Sequence, residues 1–100
     1  MPESIILEFK GAGVDEYNAV NKILGIDVAT GDGDWPPPLL SHTAAVTADG
    51  DLVVYEIWES KAAQEQFMSR LGPALAEVGV APPVRMEWFS VKGHYHSHSH

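Results

Sequence analysis

Asp49-Gly50-Asp51-Leu52-Val53-Val54-Tyr55-Glu56-Ile57-Trp58-Glu59-Ser60 is the stretch on which the fold turns. Asp-Gly between two apolar runs favours a hairpin, because glycine accepts the positive φ that a tight reversal demands. Leu52 to Trp58 is rich in β-branched and aromatic side chains and reads as a strand. Ser60 stands where a helix N-cap belongs. Beyond it Ala63, Phe67, Leu71, Leu75 and Val78 recur at helical spacing and mark a buried stripe. Turn, strand and helix in this order form one half of a repeated β–α unit.

Working outward, Leu39 to Ala48 is the antiparallel partner across the turn. The N-terminal half repeats the plan. Ile5, Leu7 and Phe9 alternate with Ile6, Glu8 and Lys10, which predicts a strand with two different faces over Ser4 to Phe9. Gly11-Ala12-Gly13 breaks it. Val14 to Leu24 follows a helical period with Tyr17, Val20 and Leu24 on one side, Asp15 as the expected N-cap and Gly25 as the stop. Thr30-Gly31-Asp32-Gly33-Asp34 predicts irregular chain, and Trp35-Pro36-Pro37-Pro38 an extended polyproline-like segment. Pro73 predicts a kink or a break in the second helix, and Gly79 its end. Pro82-Pro83 leads into a last strand, Val84 to Val91.

The order βαββαβ predicts an α+β, ferredoxin-like fold: a four-stranded antiparallel sheet with two helices on one face. The uncovered face is expected to carry Trp58 and Trp88 or their neighbours. So apolar a surface calls for cover, and a homodimer with two sheets packed face to face would enclose a barrel-like cavity. Residues 1–93 form a single domain in this reading, and 94–100 a histidine-rich tail that resembles a purification tag or a metal-binding end.

The chain has 100 residues and a formal net charge of −8, with six Lys and Arg scattered along it. No basic stripe exists to neutralise phosphates, so neither nucleic acid nor an anionic membrane surface is an expected partner. No apolar run is long enough to span a bilayer and no leader precedes the first strand, which predicts a soluble, cytoplasmic protein. The absence of cysteine excludes disulfides, thiolate metal sites and cysteine nucleophiles. No G-x-G-x-x-G opens a helix, Asp32 and Asp34 lack the other ligands of a calcium loop, and no strand-turn-helix carries a nucleophile elbow.

Leu40-Ser41-His42-Thr43-Ala44, Val54 to Ser60, and Phe67 with Leu71-Gly72-Pro73-Ala74-Leu75 together resemble the dimeric α/β-barrel superfamily, and within it the antibiotic-biosynthesis-monooxygenase-like proteins. The resemblance runs from Ser4 to Val91. It implies a homodimer without a cofactor or resident metal, acting as a monooxygenase on a small aromatic, quinol-type or polyketide-like molecule. The same superfamily includes polyketide cyclases or isomerases and non-catalytic, small-molecule-binding or stress-associated dimers. Its haem-degrading members use an Asn, a Trp and a helical His together; neither predicted helix here contains a histidine, so haem cleavage is not expected.

His42 is the one histidine outside the tail. Alternation places it with Ala44 and Val46 on one strand face, and Leu52, Val54, Glu56 and Trp58 on one face of the next strand. His42 as a base, Glu56 as its orienting carboxylate or as the acid, and Trp58 as a stacking surface would together suit proton abstraction from a phenol or an acidic C–H. Trp35, beside three prolines, is placed to lid the site. Tyr17, Tyr55 and Trp88 are candidate walls. Glu8 with Lys10, and Arg85 with Glu87, read as ordinary charge pairs.

Overall fold

The computed structural model describes residues 2–95; the tail reading of His96 to His100 falls outside the described residues. The elements are β1 (Glu3–Phe9), α1 (Val14–Leu24), β2 (Ile26–Asp27), β3 (Asp32–Gly33), β4 (Leu39–Val46), β5 (Leu52–Trp58), α2 (Lys61–Val78) and β6 (Arg85–Ser90). The four long strands form an antiparallel sheet in the order β4-β5-β1-β6. This is the ferredoxin-like arrangement expected from the sequence.

The helix ends follow local chemistry. Ser60 Oγ accepts the amide of Ala63 at 3.2 Å, which satisfies one of the donors that a helix start leaves unpaired. Gly25 and Gly79 close α1 and α2 in the left-handed conformation. Gly13, not Asp15, is the N-cap of α1; Glu16 Oε1 reaches back to its amide at 2.7 Å. Pro73 does not split α2, which runs on to Val78. Ala74, 2 % exposed, and Leu75 pack into the core just beyond it, and such tertiary packing holds a helix where propensity alone would end it. Arg70 Nη2 donates to the Leu24 carbonyl at 3.1 Å and so ties α2 to the C-terminus of α1, where a cation suits the helix dipole.

The register decides which residues meet. His42 lies opposite Glu56, Ala44 opposite Val54, and Val46 opposite Leu52. On the other side of β5, Ile5 pairs with Glu56, Leu7 with Val54 and Phe9 with Leu52. All of these share the face covered by α1 and α2. Trp58 belongs to that face too. It is 0 % exposed and packs against Phe67 of α2 with ring centroids 5.6 Å apart. Trp88, opposite Ile5, is on the same side with Lys61 Nζ 5.6 Å from its ring centre. Of the expectation that the open face carries these two tryptophans or their neighbours, the second alternative holds: the tryptophans do not face outward. Their positions are in phase with Ile5, Leu7 and Val54, the most buried set. Their neighbours Ile57 and Phe89, in phase with Ile6 and Tyr55, point away from the helices, Phe89 exposed and Ile57 buried among its sheet neighbours.

The segment expected to be irregular contains a small hairpin, β2–β3. Asp27 Oδ1 accepts the amides of Ala29 and Thr30 at 3.0 and 3.2 Å, Gly31 N–H bonds the Asp27 carbonyl at 2.8 Å, and Asp34 N–H bonds the Gly25 carbonyl at 2.8 Å. An aspartate folding its own turn in this way leaves no apolar period to read in the sequence. No helix among the described residues is long and apolar enough to cross a membrane.

Candidate functional site

The β4–β5 register brings two chemically active side chains together, and the helix layer adds a third. His42 Nδ1 and Glu56 Oε2 are 2.7 Å apart. The other oxygen of the same carboxyl, Oε1, accepts the indole N–H of Trp58 at 3.1 Å. His42 Nε2 and the hydroxyl of Tyr17, on α1, are 2.6 Å apart. Glu56 is 6 % exposed, and a carboxyl so buried is stable only when its oxygens are paired. With Glu56 accepting on both oxygens, Nδ1 carries a proton, and in the neutral imidazole it is the one ring nitrogen that does. Nε2 then presents its lone pair, and Tyr17 donates to it. The result is one chain of hydrogen bonds, Trp58–Glu56–His42–Tyr17.

The imidazole is held on both sides. The Tyr17 ring lies nearly parallel to it, 9° between planes at 5.9 Å, and Trp35 meets it edge-on at 5.3 Å. The Tyr17 phenol is pushed above its usual value, first by burial and then by the negative charge of Glu56, with the nearby Asn21 amide opposing the shift. Ionised phenolate is costly in so apolar a place, so Tyr17 stays protonated.

A cavity of about 60 Å³ lies between sheet and helices, walled by Leu7, Val20, Leu24, Val54, Phe67 and Leu71 and lined also by Tyr17, Asn21, His42 and Glu56. An open groove of about 750 Å³ runs outside it along β4 and the β2–β3 hairpin, past Val28, Leu40, Ser41 and Thr43. Tyr17, Trp35, Leu39 and His42 line both and form the partition. The groove has the scale of a ligand site; the inner space has room for water-sized molecules.

Several residues read as a group from the sequence separate here. His42, Glu56 and Trp35 converge. Trp58 stands behind Glu56, holding it rather than walling the cavity. Tyr55 is on the opposite sheet face, opposite Thr43 and Ile6 and 40 % exposed. Trp88 faces the helices but does not line the cavity. The cavity itself lies on the helix side of the sheet, not on the open face where it was expected, because the strand phase that carries His42 and Glu56 also carries the core. The Tyr17 hydrogen bond and the proximity of Asn21 were not foreseen beyond Tyr17 as a wall. The available signal was their spacing: four residues apart on α1, they share a helix face. Among the described residues no group of three His, Asp or Glu side chains is arranged to hold a metal ion.

A ferredoxin-like domain with this site on the helix side of its sheet has the fold of antibiotic-biosynthesis-monooxygenase-like proteins. A chain from Chloroflexus aurantiacus provisionally assigned as an antibiotic biosynthesis monooxygenase is 18 % identical and superposes with a TM-score of 0.63, over 95 % of this chain and 98 % of its own. SnoaB, a cofactor-independent oxygenase from Streptomyces nogalater, is 12 % identical with a TM-score of 0.61, over 93 % and 95 %. The ActVA-Orf6 monooxygenase of Streptomyces coelicolor, solved with nanaomycin D, is 21 % identical with a TM-score of 0.54, over 96 % and 90 %. At these identities the likeness is one of fold. No known family's sequence profile matches the chain, and no curated protein matches it in sequence.

Proposed function

We propose that the chain is a small homodimeric, cofactor-independent monooxygenase-like enzyme acting on an aromatic, quinol-type or polyketide-like molecule. The observation that carries this reading is the Glu56–His42 pair, 2.7 Å apart, at the partition between a ligand-sized groove and a small apolar cavity. Glu56 fixes the tautomer, so that Nε2 is the basic nitrogen and the imidazolium formed on proton uptake has a carboxylate beside it. A phenol or quinol lying in the groove against Trp35 loses a proton to this system and becomes electron-rich enough to reduce dioxygen. For a methylene flanked by aromatic rings, two C–H bonds break and a C=O bond forms. The O–O bond cleaves, one oxygen enters the product and the other leaves as water. All four electrons come from the substrate, so no external reductant is consumed. The likeness to a cofactor-independent oxygenase and to a monooxygenase solved with nanaomycin D supports the reading.

The dimer belongs to the same proposal. Ile6, Val53, Tyr55 and Phe89 share the face away from the helices by register, with Tyr55 and Phe89 well exposed, and a second copy of that face is the simplest cover.

The test is oxygen uptake over a panel of hydroquinones and anthrones without added metal, flavin or nicotinamide. Uptake by the wild type that disappears in His42→Ala, with the fold intact, supports the reading. No uptake and no new product on any panel member would overturn it in favour of a binding protein, and ligands that copurify would then be sought.

A further inference from the structure

Neither ring nitrogen of His42 is free. Nδ1 is engaged by Glu56 and Nε2 by Tyr17, at 2.7 and 2.6 Å. The ring is flanked by Tyr17 and Trp35, and the His42 side chain is 16 % exposed. A substrate hydroxyl reaches Nε2 only if Tyr17 moves out of the way. Tyr17 and His42 both line the cavity and the groove, but only the Tyr17 hydroxyl stands at Nε2 without a second side-chain bond in the Glu56–His42–Tyr17 chain.

We propose that Tyr17 is the catalytic residue that touches the substrate, its hydroxyl taking the proton of a bound phenolic or enolic hydroxyl while passing its own proton to Nε2 of His42. This rests on the oxygenase reading for the later oxygen step but not for the proton transfer itself. The substrate O–H bond breaks and a new Tyr17 O–H bond forms; the old Tyr17 O–H bond breaks and an Nε2–H bond forms. Tyr17 ends neutral, as it began. The charges are a substrate oxyanion in the groove and an imidazolium against Glu56, and no oxidant or reductant is required.

Three observations support a relay over a tyrosinate base or a displaced tyrosine. The phenol is held protonated by burial and by Glu56, as a neutral carrier must be. The hydroxyl donates inward to His42, which leaves its lone pairs for an incoming donor. Asn21, one helical turn along, is 8 % exposed, lines the same cavity, and its side chain favours negative charge on the Tyr17 oxygen, so the charge that develops there as the proton passes is stabilised. The substrate class is therefore narrowed to molecules with an ionisable aromatic or enolic hydroxyl.

The experiment uses 4-nitrophenol, whose phenolate absorbs in the visible, with wild type, Tyr17→Phe and His42→Ala, each checked for intact fold by near-UV circular dichroism. The relay predicts that the bound probe is shifted toward phenolate in the wild type and that both variants lose the shift. On any substrate found by oxygen uptake, Tyr17→Phe should lower kcat by about 10²–10⁴-fold, the usual worth of a positioned acid–base group. Ionisation or uptake undiminished in Tyr17→Phe would overturn the relay and leave His42 as the direct base. A phenolate shift lost in Tyr17→Phe, without oxygen uptake on any substrate, would keep the relay and overturn the oxygenase reading. A wild type that neither ionises the probe nor turns over a substrate would overturn both.

Discussion

Tyr17 shows how one side chain links stability to chemistry. Its phenol ionises above the ordinary value of 10.0 because burial and Glu56 oppose the negative form. As pH rises past that value, the unfolded chain gives up the proton while the folded chain retains it. Stability contributed at lower pH is therefore lost through the window between the two values. Wild type and Tyr17→Phe share every other ionisable group, so the difference between them isolates Tyr17. Urea midpoints measured from about pH 8 to 11 are expected to fall more steeply for the wild type than for Tyr17→Phe; parallel curves would contradict this. At this scale the sequence told part of the story. His42 and Glu56 were readable as neighbours because they sit on one hairpin, and alternation alone fixes their phase. The bond to Tyr17 was not, since nothing local says which helix residue packs over a given strand position.

The segment from Gly25 to Pro38, with its β2–β3 hairpin and Trp35, borders the groove through Val28, Gly31 and Trp35. Gly33 has φ +103°, and a Cβ there would run into the Gly25 carbonyl, so two strands approach at a point where only glycine fits. Gly33→Ala is expected to spring this hairpin at a cost of about 1–3 kcal/mol, concentrated locally. Hydrogen exchange should accelerate at the amides of Gly31 and Asp34, whose bonds close the hairpin, while the β1 and β5 amides stay protected. Uniform acceleration across the sheet would show that the segment is part of the global core instead. The hairpin escaped the sequence reading because it is made by side chain–to–backbone bonds of Asp27, not by an apolar pattern. Helix ends at Ser60, Gly25 and Gly79 were readable because each carries its own capping chemistry.

For the whole molecule, the sheet's two faces decide the architecture. Both are apolar enough that alternation did not reveal which the helices would cover. Leu52, Val54 and Trp58 compete with Val53, Tyr55 and Ile57 on the same strand, and the buried His42–Glu56 pair adds polar residues to the core side. The face left over carries Tyr55 and Phe89, 40 % and 41 % exposed, beside the Arg85–Glu87 ion pair at 2.9 Å. Light scattering is expected to give twice the chain mass of 10.9 kDa for the wild type. Tyr55→Glu with Phe89→Glu should give the single mass, because each charge would be buried against its own copy. A wild type that is monomeric at all concentrations would sink the dimer.

His42 and Glu56 are joined by the short hairpin through Asp49-Gly50, whereas Tyr17 reaches His42 only from a separate helix. The carboxyl–imidazole pair is therefore a local contact with little loop entropy to overcome, formed as soon as β4 and β5 zip together. Tyr17 arrives later, when α1 docks. The order of assembly divides the site in time: the His42–Glu56 pair belongs to the earliest structure the chain can make, and the Tyr17 contact is among the last things folding completes.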